Sequence, residues 1–131
     1  MANELIVKQQ NELVEAIDKK GLDKVLEPLI KEIHLFDTYV AGTTYLQDQS
    51  VLEKVQPGDS LTLRREDNKF DGNAILILNE ADKKLGYIPE KDNIIFARLM
   101  DAGKLLKAKV KDKKQRGSFT QISIGIYLVD F

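Results

Sequence analysis

Apolar residues recur along this chain with two different periods, and the change falls near residue 33. Before it, Leu22, Val25, Leu26, Leu29, Ile30 and Ile33 keep the i, i+3, i+4, i+7 spacing of one helix face. Residues 4–33 therefore predict helix, interrupted at K-K-G over 19–21, where two cations and Gly21 suit a C-terminal cap. Pro28 should kink the second stripe or begin a fresh turn there. The simplest use of such a stripe is packing, against a sheet or against a second copy of itself.

After Ile33 the period becomes two. H-L-F-D-T-Y-V-A-G over 34–42 alternates and is rich in aromatic and β-branched residues, which predicts a strand ending at glycine. S-L-T-L-R-R-E (60–66), N-A-I-L-I-L-N (73–79) and K-K-L-G-Y-I-P (83–89) predict three more strands. P-E-K-D-N-I-I-F-A-R-L-M-D-A-G predicts a helix, with Pro89 in its first turn and Gly103 as its C-terminal cap. Two longer strands, 105–113 and 119–129, close the chain around the turn K-Q-R-G-S. Short strands with turn signals and a single inserted helix imply a mainly β, α+β architecture, a small barrel or curled sheet.

Composition narrows the chemistry. The 131 residues carry 20 Lys and Arg against 21 Asp and Glu, so any basic surface has to be local. Cysteine is absent, which excludes disulfides, thiolate metal sites and cysteine nucleophiles. Neither a secretion signal nor an apolar run near the roughly 20 residues of a membrane span is evident, so a soluble cytoplasmic protein is expected.

The most unusual run is R-E-D-N-K-F-D-G-N-A-I, Arg65–Ile75. A calcium loop starting at Asp67 places Gly72 correctly at the sixth position, but Lys69 stands at the third and Leu78 at the twelfth, where oxygen ligands are required. Catalytic carboxylates fare no better. Glu66, Asp67 and Asp71 have no nucleophile near them, and the one histidine, His34, lies at a helix-to-strand junction. No phosphate-cradling glycine motif is present. No metal, cofactor or enzymatic role is expected. What remains is a tight turn, since Asn and Asp tolerate left-handed backbone and bond nearby amides. Such a turn holds Phe70 at a rim, with Asp71 and Asn73 fixing backbone or meeting a polar ligand.

Lys107, Lys109, Lys111 and Lys113 alternate with Ala108 and Val110, which predicts one lysine face on one strand, extended by Lys114 and Arg116. That face is either solvated, or guards a sheet edge from aggregation, or is a stripe that contacts phosphates. Aromatic residues beside it, Tyr45, Phe70, Tyr87 and Phe119, could stack unpaired bases.

Taken in order, V-A-G-T-T-Y from Val40, L-R-R-E-D-N-K-F-D-G-N-A-I from Leu63, and L-G-Y-I-P-E followed by A-R-L-M-D-A-G resemble the HIRAN family across roughly residues 36–103. The resemblance implies a modified OB-like (SH3-like) barrel, expected over 34–131; residues 1–33 lie outside it and are expected, from their spacing, to be a separate helical segment. It implies a non-enzymatic module that captures the 3′ end of single-stranded DNA. Phe70 and Asp71 then occupy the family's aromatic–aspartate pair, Asp71 meeting the terminal hydroxyl; Asn68 precedes them, Arg65 lies upstream, and Tyr45 and Tyr87 stand near the bound end. Thr44, Leu46 and Glu90 depart from the DNA-binding pattern, which has an arginine, a tyrosine and a lysine there. The other expectation the residues support is a protein-interaction module that forms a homodimer through the N-terminal helices.

Overall fold

The computed structural model describes residues 31–130. The expected helices over 4–30 lie outside those residues. Strand β1 already begins at Lys31 and runs to Tyr39. Ile33 thus belongs to a strand and not to the helical stripe with which its spacing grouped it. A β-branched residue three positions beyond Ile30 fits both periods, and pairing with β6 decides between them.

A short 3-10 turn, Thr43–Tyr45, and a one-turn helix α1, Ser50–Glu53, precede β2, Ser60–Arg65. Then come β3, Ile75–Leu78, β4, Lys84–Tyr87, and helix α2, Asn93–Asp101. The long hairpin of β5, Leu106–Arg116, and β6, Phe119–Asp130, completes the described chain. α2 ends as its sequence predicts. Gly103 adopts φ 89°, its N–H bonds Met100 O, and the next N–H, on Lys104, bonds Leu99 O. Its start comes later than Pro89 suggests, because Pro89 O first accepts the Asp92 N–H in a separate turn.

The six strands form one sheet in the order β1-β6-β5-β2-β3-β4. The pairs with defined register are antiparallel. Alternation sorts the side chains: Leu61 and Leu63 from β2, Ile75 and Ile77 from β3, Ala108 and Val110 from β5, and Ile122, Ile124 and Ile126 from β6 are buried. Leu85, Ile88, Phe96 and Ala97 join the same core.

The sheet curls until its two ends meet. Ala41, just beyond β1, and Tyr87 of β4 exchange both backbone hydrogen bonds, at 2.8 and 2.9 Å. Gly86 makes that approach possible, since a Cβ there would stand 2.3 Å from Ala41 O. The expected barrel is therefore an open six-stranded sheet with one narrow seam.

Candidate nucleic-acid interface

The stretch 66–74 folds as a compact connection between β2 and β3, pinned from several sides. The Asn68 side chain accepts the Phe70 N–H at 2.8 Å, and Asp71 accepts the Asn73 N–H at 2.9 Å. These are the local amide–carboxylate bonds the composition predicts. Arg65 braces the turn from below. Its guanidinium donates to Ala74 O and Gly72 O and pairs with Asp101 at the end of α2 at 2.9 Å. Arg65, expected as a ligand contact, here builds the turn with most of its N–H donors.

The aromatic between these clamps has nowhere to pack. Phe70 is 85 % exposed, and Tyr45 is 89 % exposed on the 3-10 turn. A large ring held in water by an ordered backbone costs apolar hydration with no packing return, a pattern typical of contact surfaces. Between the two segments that carry these rings lies a cleft of about 220 Å³ lined by Ala41, Gly42, Asn68, Asp71, Ala74, Tyr87, Ile88 and Glu90. It sits at the seam of the sheet. Gly42, in a left-handed conformation at φ 81°, keeps its Cα side open between the rings of Tyr45 and Tyr87.

Two polar chains reach this cleft. The Tyr87 hydroxyl donates to Glu66 at 2.8 Å, Asn68 Nδ2 donates to the same oxygen, and Lys84 Nζ lies 4.6 Å above the Tyr87 ring. Asp71 is held separately: Oδ1 accepts from Asn73 N–H and Oδ2 from Asn93 Nδ2 at 2.8 Å. Both of its oxygens are oriented, and each keeps acceptor capacity. Asn93, Asp101 and Lys84 were not expected to matter from the sequence. Their only local signal is a polar residue at a helix end or strand start, and tertiary contact supplies the rest. Glu66 entered the sequence reading only as a catalytic candidate, and here it is an acceptor for Tyr87.

The lysine stripe fares differently. Lys107 and Lys109 lie opposite Tyr127 and Gly125 on the outer face of β5, and both ammonium groups pair with the one carboxylate of Glu32 on β1. Lys111 pairs with Asp37 at 2.8 Å. These side chains span β6, which lies between β5 and β1. Hydrogen bonds from Lys107 and Lys109 hold the Glu32 carboxyl below the usual carboxylate range. Lys111, and then His34 at 2.6 Å, do the same for Asp37, and Asp37 in turn raises Lys111.

The expectation of one lysine face fails at Lys113. The register slips between Val110 and Asp112, which leaves Lys111 as a bulge residue and sets Lys113 opposite the buried Ile122. From there its Nζ caps the carbonyls of Leu52 and Glu53 at 3.2 Å. Arg116 is exposed at the tip of the hairpin, opposite Phe119. None of Lys107, Lys109, Lys111, Lys113 or Arg116 lines the cleft of Asp71 and Tyr87. Asn68, Asp71 and Tyr87 line the cleft, Tyr45 and Phe70 stand exposed on segments beside it, and the five basic residues do not line it.

A curled antiparallel sheet with a cleft beside exposed aromatic residues at its seam defines a small binding module of OB-like build. The model of the HIRAN domain matches residues 33–129, and the chain belongs to that family. HIRAN domains are nucleic-acid-binding modules. Among solved structures, a protein from Lactobacillus plantarum is 28% identical, with a TM-score of 0.71, the match covering 78% of this chain and 99% of that one. The HIRAN domain of human HLTF shares the fold at a TM-score of 0.60 and 19% identity, over 75% of this chain and 78% of that one. No curated protein matches the chain. Among the described residues no helix is long and apolar enough to cross a membrane, and no group of three or more His, Cys, Asp or Glu is placed to hold a metal.

Proposed function

We propose that the chain is a non-catalytic module that binds the 3′ end of single-stranded DNA in the cleft between Tyr45 and Phe70. The terminal hydroxyl donates to Asp71, and the last bases stack on the exposed rings. One observation carries this reading: two aromatic side chains stand in water beside a carboxylate whose orientation is already fixed. Stacking supplies about 1–3 kcal/mol per base without demanding a sequence. A carboxylate accepts from a hydroxyl and repels a phosphate, so a free end is preferred to a phosphorylated one.

The charge distribution supports a weakly electrostatic mode. The cations nearest the rings are Lys69, 5.4 Å from the Phe70 ring centre, and Lys84 above Tyr87. Glu90 lines the cleft with Asp71. Lys107, Lys109 and Lys111 meet phosphates only in competition with Glu32 and Asp37, and Arg116 contributes from the hairpin tip. Few counterions are released, and the salt dependence is shallow.

The test is a titration of labelled oligonucleotides with free and 3′-phosphorylated ends at two salt concentrations. The expected result is tighter binding of the free end, with a modest loss at high salt. Absence of salt-sensitive binding at micromolar protein rejects the nucleic-acid reading. Equal affinity for the two ends rejects end recognition alone.

A further inference from the structure

We infer that Asn93 is a positioning residue for the cleft, one that fixes Asp71 as an uncompensated hydrogen-bond acceptor and thereby sets its preference for a hydroxyl. The inference rests on the proposed role of Asp71. Asn93 opens α2 and is 2 % exposed, one of only two buried polar side chains in the core inventory of the described residues. Its Nδ2 reaches Asp71 Oδ2 at 2.8 Å across 22 positions of sequence.

The chemistry of an amide at this point is specific. A buried lysine or arginine would satisfy the same oxygen, but its charge would neutralise the carboxylate and weaken it toward an incoming O–H. An aspartate would set two carboxyls in contact, which raises the pKa of one so that the pair shares a proton until the pH is high, and that proton would occupy the oxygen the ligand needs. An apolar residue would leave Oδ2 free to rotate out of line. Asparagine, unlike these, donates a hydrogen bond, adds no charge and holds the carboxylate in place. The other titratable or charged groups around the pair are Glu66, Tyr87 and Glu90 on the cleft side, with Arg65 and Asp101 behind the turn.

A structural role for Asn93 predicts lost stability and equal loss for every ligand. A positioning role predicts a change in the ratio of affinities for free and 3′-phosphorylated oligonucleotides. In Asn93→Ala that ratio should fall roughly tenfold or more, the size of one hydrogen bond to a charged group, with affinity for the phosphorylated end nearly unchanged. In Asn93→Asp the ratio should become dependent on pH between 5 and 9, recovering as the shared proton leaves. The exchange Asp71→Asn with Asn93→Asp keeps an amide–carboxyl bond but moves the charge from the cleft to the interior; it should bind without end preference. If either single variant does not fold, this double exchange and the remaining single variant decide. Folded variants that keep the parental ratio at every pH overturn the inference. If the parent itself shows no end preference, the role of Asp71 falls first and that of Asn93 with it; a parental preference that survives all three variants removes Asn93 alone.

Discussion

The outer face of β5 and the turn between β2 and β3 present opposite solutions to exposure. The first concentrates charge, yet Lys107, Lys109 and Lys111 are tied to Glu32 and Asp37 and brace β1 across β6. The second is net negative, with Glu66, Asp67 and Asp71 against Lys69, and it holds Phe70 in solvent on a backbone fixed by Arg65, Asn68 and Asp71. A group that has found its partner inside the protein has less to give a ligand. The proposed function accordingly rests on unsatisfied apolar surface on a rigid support and not on a count of basic residues.

The sharpest way to break this contrast is to remove the brace of the turn. Arg65→Ala takes away donors to Gly72 O and Ala74 O, and the ion pair to the half-exposed Asp101 adds little of its own. Unfolding should become easier by about 2 kcal/mol in a urea titration, the usual scale for hydrogen bonds from a charged donor. Binding should fall with it, because Phe70 and Asp71 lose their common support. Unchanged stability would show that the Asx bonds alone shape the turn.

Phe70→Ala separates contact from scaffold. Its ring is too exposed to hold the fold, so stability should stay within about 0.5 kcal/mol. Affinity for a single-stranded oligonucleotide should drop by about 1–3 kcal/mol, read by fluorescence anisotropy. A loss of stability without a loss of affinity would reverse the assignment.

The smallest effect belongs to the charged face. The Glu32 carboxyl is held below its ordinary value of 4.5 by the two lysines. A carboxyl depressed in the folded state adds stability above its unfolded value and loses it as pH falls through the folded one. Thermal unfolding of the parent should therefore soften in acid below about pH 4.5, and Glu32→Gln should lack that component. The same variant releases Lys107 and Lys109, so nucleic-acid binding should gain a slightly steeper salt slope. An unchanged slope would mean that the stripe is structural only.

Much of this was legible before any coordinates. The alternation in S-L-T-L and A-I-L-I-L defines β2 and β3 to within two residues, and Gly103 marks the end of α2, because each signal is local. The exposed turn was legible for the same reason: D-N-K-F-D-G-N bonds mostly to itself. Three things were not. The bulge at Lys111 leaves the lysine alternation in the sequence intact and exists only in the pairing with β6. The pairing of lysines with Glu32 requires β1 to lie two strands away. Asn93 reads as an unremarkable helix residue until the fold sets it beneath Asp71.

Two backbone hydrogen bonds join Ala41 and Tyr87 at the ends of the curled sheet, and both residues line the cleft. A cylinder fastened at one such point is weakest there, so a guest lodged against both margins acts as a clasp. On the proposed reading of the cleft, occupancy and mechanical closure would be a single event.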